Sequence, residues 1–257
     1  MPFPWSAASP TPALSQSPTP RADASSVPEP RRRSLALCLA AGVLLPAWSQ
    51  VPPSPAELAA YTSLHAAAHR GLVPELEAAL QRDPDGINRR DDYGRTPLHV
   101  ATFARQVAAI RWLVASGARM DLQDADRYDA VTIAAVANDE EALGWLLRLG
   151  ANARSVTSRY DGTALIAAAH LGHAGVVRQL LAAGAPANHV NNLGWTAVHE
   201  SIVLGDGGPR HQDTLRALIG GGADLMQTDR QGQTPLQMAR SRGYREMARM
   251  LEAAGAR

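Results

Sequence analysis

A Gly-Ala pair closes a leucine-rich stretch five times in this chain: Gly117-Ala118, Gly150-Ala151, Gly184-Ala185, Gly222-Ala223 and Gly255-Ala256. The steps between successive pairs are 33, 34, 38 and 33 residues. Self-similarity at that period marks a stack of short modules, each burying its apolar face on its neighbours. Such a stack presents a surface rather than a pocket with chemistry in it.

A second ladder runs about twenty residues ahead of the first. It reads Thr96-Pro97-Leu98-His99, Ala130-Val131-Thr132-Ile133, Thr163-Ala164-Leu165-Ile166, Thr196-Ala197-Val198-His199 and Thr234-Pro235-Leu236-Gln237, with a degenerate earlier copy at Thr62-Ser63-Leu64-His65. Each copy predicts a helix start. A threonine oxygen at the N-cap accepts an orphan backbone N–H, and proline fits the first helical position, where its missing N–H costs nothing. Alanines follow, as in Ala66-Ala67-Ala68 and Ala167-Ala168-Ala169, and let a neighbouring helix approach closely. After a polar break comes a second run with apolar residues at i, i+3, i+4 and i+7, as in residues 107–114 and 176–181. The glycine beyond it suits a left-handed residue that ends a helix.

The run Asp91-Asp92-Tyr93-Gly94-Arg95-Thr96-Pro97-Leu98-His99-Val100-Ala101 resembles the ankyrin-repeat signature, as does residues 229–236. The resemblance covers about residues 59–257 as six copies, approximately 59–90, 91–123, 124–154, 155–190, 191–227 and 228–257. It implies a mainly α solenoid of about six helix-turn-helix units joined by projecting β-turn or hairpin loops. It also implies binding of partner proteins through the turn tips and a concave first-helix face. Repeat three departs most from the pattern: with Tyr128 read at the glycine position and Ala130 at the threonine position, an irregular turn or a short first helix is expected. Repeat one has Asp83-Pro84-Asp85-Gly86 in place of the Gly-Ala stop, as an end-capping module can. Repeat five is longer by five residues, centred on residues 205–210, where Gly and Pro predict a flexible loop. That loop is either a tolerated surface insertion or a partner contact.

The N-terminal part stands outside the repeats. Residues 1–30 are rich in Ser, Pro and Ala, lack apolar periodicity and are expected to be a disordered leader. Arg31-Arg32-Arg33 then precedes an apolar run from Ser34 to Leu45, with Ala47 and Ser49 as small residues near its end. A basic head, a short apolar run and small residues at −3 and −1 make a secretory signal over residues 31–49, with cleavage expected between Ser49 and Gln50. A membrane span needs roughly 20 apolar residues, and this run is shorter. Leu37 before Cys38 does not suit a lipoprotein signal, and the paired arginines faintly resemble a twin-arginine signal. Initiation at Val27 would place the signal at the usual distance from the start. Residues 50–58 read as a linker.

All 25 basic side chains are arginine, and the formal net charge is +1. The absence of lysine, with abundant Ala, Arg and Gly, points to a high-GC bacterial genome. Residues 50–257 hold 21 of those arginines against 22 acids, so no strong field invites nucleic acid or a membrane surface. Cys38, the single cysteine, falls inside the signal. The mature chain would therefore carry no thiolate nucleophile, thiolate metal ligand or disulfide, which suits an oxidising compartment.

The remaining chemistry reads mostly as structure. His65, His99 and His199 sit at the fourth place of the helix-start motif, where the family resemblance implies hydrogen bonds near the turn. His170 and His173, three apart, could present two metal ligands or simply form the interhelical turn. Asp91-Asp92 lies in a polar turn, and Glu140-Glu141 at the start of a second helix, where acids oppose the helix dipole. Ser201 and His199 face different ways, so they make no nucleophile–base pair. Gly220-Gly221-Gly222 ends a helix and is not followed by a phosphate-binding Lys-Ser/Thr. Trp112 and Trp145 hold equivalent places, either packed on the second-helix layer or exposed as an aromatic pair.

The projecting turns carry Tyr93, Arg95, Arg127, Tyr128, Arg159, Tyr160, Trp195 and Arg230. These side-chain types are enriched in binding hot spots, although stacking on adjacent turns would also account for them. The expectation is a monomeric, periplasmic or secreted interaction scaffold that binds a protein partner, with no catalytic residues, no cofactor and no metal. A protector or immunity-type inhibitor of one envelope enzyme or toxin, and a metal- or small-ligand-binding repeat protein, remain alternatives.

Overall fold

The computed structural model describes residues 50–257. The expected leader, the expected export signal and Ser49 of the expected cleavage point lie outside the described residues. After α1 (Pro55–Ala60), six helix pairs follow in order. They are α2 (Ser63–Arg70) with α3 (Val73–Arg82), α4 (Pro97–Phe103) with α5 (Val107–Ala115), and α6 (Ala130–Val136) with α7 (Glu140–Arg148). The second half continues with α8 (Ala164–Leu171) and α9 (Ala174–Ala182), α10 (Ala197–Val203) and α11 (Pro209–Gly220), then α12 (Pro235–Ser241) and α13 (Arg245–Ala253).

The helix starts follow from the residues named above. The hydroxyls of Thr96, Thr163, Thr196 and Thr234 each accept the backbone N–H three residues on, while Thr62 makes no such cap. Gly117, Gly150, Gly184, Gly222 and Gly255 all have positive φ and close their second helices as left-handed residues. First helices pack on first helices along the stack, and second helices on second helices, which makes two layers. The core lies between the layers: Leu98, Ile133, Leu165 and Val198 from the first helices meet Ile110, Leu143, Leu180 and Leu218 from the second. Burying a Leu or Ile side chain of this kind contributes about 1.5–3 kcal/mol.

The turns form a third feature. The Ala125 N–H donates to Tyr93 O at 2.8 Å, Ser158 N–H to Arg127 O at 3.0 Å, and Asn192 N–H to Tyr160 O at 2.9 Å. Each turn is thus bonded to the one before it. In repeat four the turn becomes a small hairpin, β1 (Val156–Thr157) antiparallel to β2 (Gly162–Thr163), with Val156 opposite Thr163.

Three expectations need correction. In repeat three, Arg127 rather than Tyr128 takes the glycine place, with φ +66°, and Asp129 rather than Ala130 takes the threonine place. The Asp129 carboxylate caps α6 by accepting from the Thr132 N–H at 2.8 Å. Helix α6 is therefore seven residues long, as α4 and α10 are, and not short. The insertion in repeat five is not a bare loop: its end becomes the first turn of α11, which runs 12 residues against nine in α9. Asp206 binds His211 Nδ1 at 2.8 Å, Gln212 donates to Gly207 O at 2.8 Å, and the Tyr244 hydroxyl donates to Gly205 O at 2.9 Å. Finally, residues 50–58 are no free linker, since they include most of α1 and contact repeats two and three.

Candidate functional site

Every projecting turn from repeat two onward is organised by one polar side chain. Asp91 Oδ1 accepts from the backbone N–H groups of Tyr93 and Arg95 at 2.9 and 2.8 Å. Asp124, Asn191 and Asp229 do the same for the residues two and four places on, at 2.9–3.0 Å. In repeat four Ser158 Oγ replaces the carboxylate or amide, at 3.2 and 3.3 Å. A side-chain oxygen that serves two N–H groups fixes a turn without help from the core. This Asp/Asn ladder at 91, 124, 191 and 229 is a signal the sequence carries by its spacing, independent of the glycine and threonine places.

With that register, the eight residues expected at the tips fall into four rows rather than one strip. Arg159 and Arg230 follow the organising residue directly; Tyr93 and Tyr160 come second, Arg127 third, and Arg95, Tyr128 and Trp195 fourth. Their exposure differs. Arg127, Arg159 and Arg230 are exposed, and Tyr93, Tyr160 and Trp195 are half-buried. Arg95 and Tyr128 do not project at all: they are 1% and 4% exposed. Both are buried and leave the expected contact set, while Trp195 in the same row stays half-buried.

The exposed arginines reach sideways. Arg127 pairs with Asp161 at 3.0 Å and Arg159 pairs with Asp126, a crossed couple between the turns of repeats three and four. Arg230 donates to Asn192 O on the preceding turn. Exposed pairs of this kind each contribute only about 0–1 kcal/mol, so they orient the tips more than they stabilise the stack.

Arg95 is held from three sides. Its Nε–H donates to Asp91 Oδ2 at 2.7 Å, one terminal nitrogen pairs with Glu57, and the other lies 3.4 Å from Val51 O. Tyr61 donates its hydroxyl to the same Asp91 oxygen at 2.6 Å. Burial works against the charge on Asp91, but hydrogen bonds from Tyr61 and Arg95 outweigh it and hold the carboxyl below the usual aspartate range.

A second buried polar group sits between repeats four and five. Glu200, four residues past its cap on α10, occupies the place held by Val100, Ile133, Ala167 and Met238 in other repeats. It is 1% exposed. Asn191 donates to one carboxylate oxygen at 2.8 Å, and His170 Nδ1 lies 3.1 Å from the other. His211 Nε2 in turn donates to the His170 carbonyl at 3.0 Å. His170 therefore has a carboxylate partner that its neighbours in sequence did not suggest, because Glu200 lies 30 residues away.

His65, His99 and His173 are structural in their contacts, whereas the buried Nε2 of His199 has no hydrogen-bond partner among the described residues. His65 and His99 donate from Nε2 to the carbonyls of Arg95 and Tyr128 on the next turn, each at 3.1 Å. His173 Nδ1 donates to Ala135 O at 3.0 Å. Among the described residues, no group of three or more His, Cys, Asp or Glu is placed to hold a metal ion. Trp145 is half-buried on the second-helix layer, with the guanidinium carbons of Arg111 and Arg148 at 4.0 and 4.3 Å from its ring centroid.

The arrangement agrees with what known proteins show. The family described as "Ankyrin repeats (3 copies)" matches residues 45–124 and 131–229, and "Ankyrin repeats (many copies)" matches 209–252. This chain belongs to the ankyrin repeat family. It is similar to the ankyrin repeat protein YahD of Escherichia coli (strain K12), 35% identical over 191 residues, which cover 74% of this chain and 94% of that protein. The crystal structure of an ankyrin repeat domain from Acinetobacter baumannii AYE superposes with a TM-score of 0.70 and 41% identity, over 76% of this chain and 98% of that one. A chain in the structure of the Bdellovibrio bacteriovorus predatory endopeptidase Bd0816 with immunity protein Bd3460 gives a TM-score of 0.63 at 24% identity, over 75% and 98% of the two chains. That last likeness is one of fold. Ankyrin repeats are protein-interaction scaffolds, and they are generally non-enzymatic.

Proposed function

We propose that this ankyrin stack is an exported scaffold that docks one partner protein against its turn tips and first-helix face. The observation that carries the reading is the bonding between turns. Backbone ladders and crossed Arg–Asp pairs set the tips before any partner arrives, while Tyr93, Tyr160 and Trp195 keep part of their surface open. A preordered surface loses less entropy on association, and aromatic side chains supply contact area at low rotamer cost. Export is supported by the basic head, the apolar run and the small residues before Gln50.

The test is crosslinking in the native envelope, with Tyr93, Tyr160 and Trp195 replaced together by alanine. Partner recovery should fall at least about ten-fold, the loss of a single hot spot's worth of energy. Helicity should be retained. The mature chain sequenced from the same preparation should begin at Gln50. Undiminished recovery from a folded variant would remove the proposed face, and a chain still beginning upstream would remove the export signal. Recovery of a single stoichiometric enzyme or toxin would make the scaffold its protector.

A further inference from the structure

Residues 50–58 precede the first repeat, and the segment 50–61 that they open bonds to the two repeats beyond it. The Gln50 side chain donates to Thr132 O on α6 at 3.2 Å, Arg95 of repeat two reaches Val51 O and Glu57, and Tyr61 donates to Asp91. The segment therefore runs from repeat three back to repeat one, against the order of the stack. It follows the line where the turns meet the first helices. It crosses the middle of that line at Arg95.

The contact is polar and directional. Asp91 takes the Nε–H of Arg95 and fixes the guanidinium plane, so both terminal nitrogens face the segment. On the other side, Ser54 presets the acid. The Ser54 N–H donates to Glu57 Oε2 at 2.8 Å, Ser54 Oγ accepts the Glu57 N–H at 3.3 Å, and Oε1 is left for Arg95. A guanidinium steered by one carboxylate and offered to a second, with a main-chain carbonyl beside it, is how a charged peptide is gripped. Yet α1 contains no buried residue, and Pro52, Ser54, Pro55 and Ala56 are exposed. Val51, Pro53, Leu58 and Tyr61 are only part-buried, and a segment held mainly by polar contacts with little full burial opens more readily than the core.

We infer that the first-helix face of repeats two and three is a binding site for an acidic peptide segment of a partner protein, and that residues 50–61 occupy it in cis until displaced. The inference rests on the scaffold reading above and gives the partner a chemistry. Its segment carries a carboxylate for Arg95, a carbonyl for the second terminal nitrogen, and a donor for Thr132 O. Arg95, buried here, becomes the exposed anchor once the strap leaves.

The experiment uses the full-length chain and a labelled synthetic peptide of residues 50–61. The peptide is also made with Glu57→Gln. The chain is compared with its Gln50→Ala/Glu57→Gln form, in which the strap has lost two contacts made by non-core side chains. A tethered segment competes at an effective concentration of about millimolar. The weakened chain should therefore bind the native peptide at least about ten-fold more tightly than the unaltered chain does. The Gln peptide should bind the weakened chain at least about ten-fold less tightly than the native peptide. Equal binding by the two chains, or by the two peptides, overturns the inference. Were the double variant to lose helicity, Glu57→Gln alone gives the same comparison, with the same outcomes. No natural partner enters the measurement, so its failure is separable from failure of the envelope crosslinking.

Discussion

His99 shows what a single side chain settles at the residue scale. Its Nδ1 accepts the Thr96 backbone N–H at 3.0 Å, so the proton sits on Nε2, which donates to Tyr128 O on the next turn. One neutral imidazole thus caps its own helix and ties two repeats. Burial pushes its pKa down from 6.5 to about 4. His65, His173 and His199 are lowered too, again chiefly by burial. A depressed histidine is fully stabilising above the unfolded pKa. That stability is lost as pH falls from about 6.5 toward 4, because the unfolded chain takes the proton first. Asp124 and Asp129, raised mainly by burial, act in the opposite sense near the acid end of that range. Between pH 7.5 and pH 5, His99 alone should remove about 2 kcal/mol. His99→Gln keeps the cap, since Gln237 accepts the Thr234 N–H at 2.9 Å in repeat six. Urea unfolding across that range should show the unaltered chain losing about 2 kcal/mol more than the variant. Parallel curves would mean that His99 titrates normally in the fold.

At the scale of elements, the turn is a unit whose geometry a single side chain fixes. Each needs a left-handed residue in the third place after its organising side chain, and Gly94, Gly194 and Gly232 supply it without a Cβ penalty. Arg127 and Asp161 adopt the same conformation at φ +66° and +51°. That is why repeat three is misread by one position when glycine is taken as the marker. The hydrogen-bonding oxygen of Asp124 is the more reliable signal, because it acts whatever stands at the glycine place. Gly194 has φ +87°, and an added Cβ would lie 2.6 Å from Arg230 Cγ. The Arg230 side chain can move aside, so the backbone strain dominates. Gly194→Ala should cost about 1–2 kcal/mol in thermal or urea unfolding, with the helices retained. A neutral result would show that the turn relaxes as it does around Arg127. Helix starts and stops were legible beforehand, because a Thr cap and a left-handed glycine act within a few residues of themselves. The insertion was read only as Gly and Pro, whereas Asp206, Gln212 and Tyr244 decide how it is held.

Across the whole molecule, each helix pair touches only the pairs beside it, so stability is distributed as neighbour terms. Helices α4, α6, α8 and α10 have first-helix partners on both sides, whereas α2 and α12 have one each. Native-state hydrogen exchange should therefore be slowest in α6–α10 and fastest in α1 and in α12–α13. Uniform protection along the stack would contradict independent fraying from its ends. The repeat period, the two-layer helical architecture and the caps were written in the sequence by itself. Each arises from interactions within one repeat length, where backbone propensity and helix periodicity act directly. Which tip side chains stay exposed was decided only by the tertiary structure. Arg95 is buried because Val51 and Glu57, 44 and 38 residues away, close over it. Glu200 and His170 meet because two repeats stack. Residue type sets what a side chain can bond, but desolvation and pairing depend on neighbours that only folding brings together.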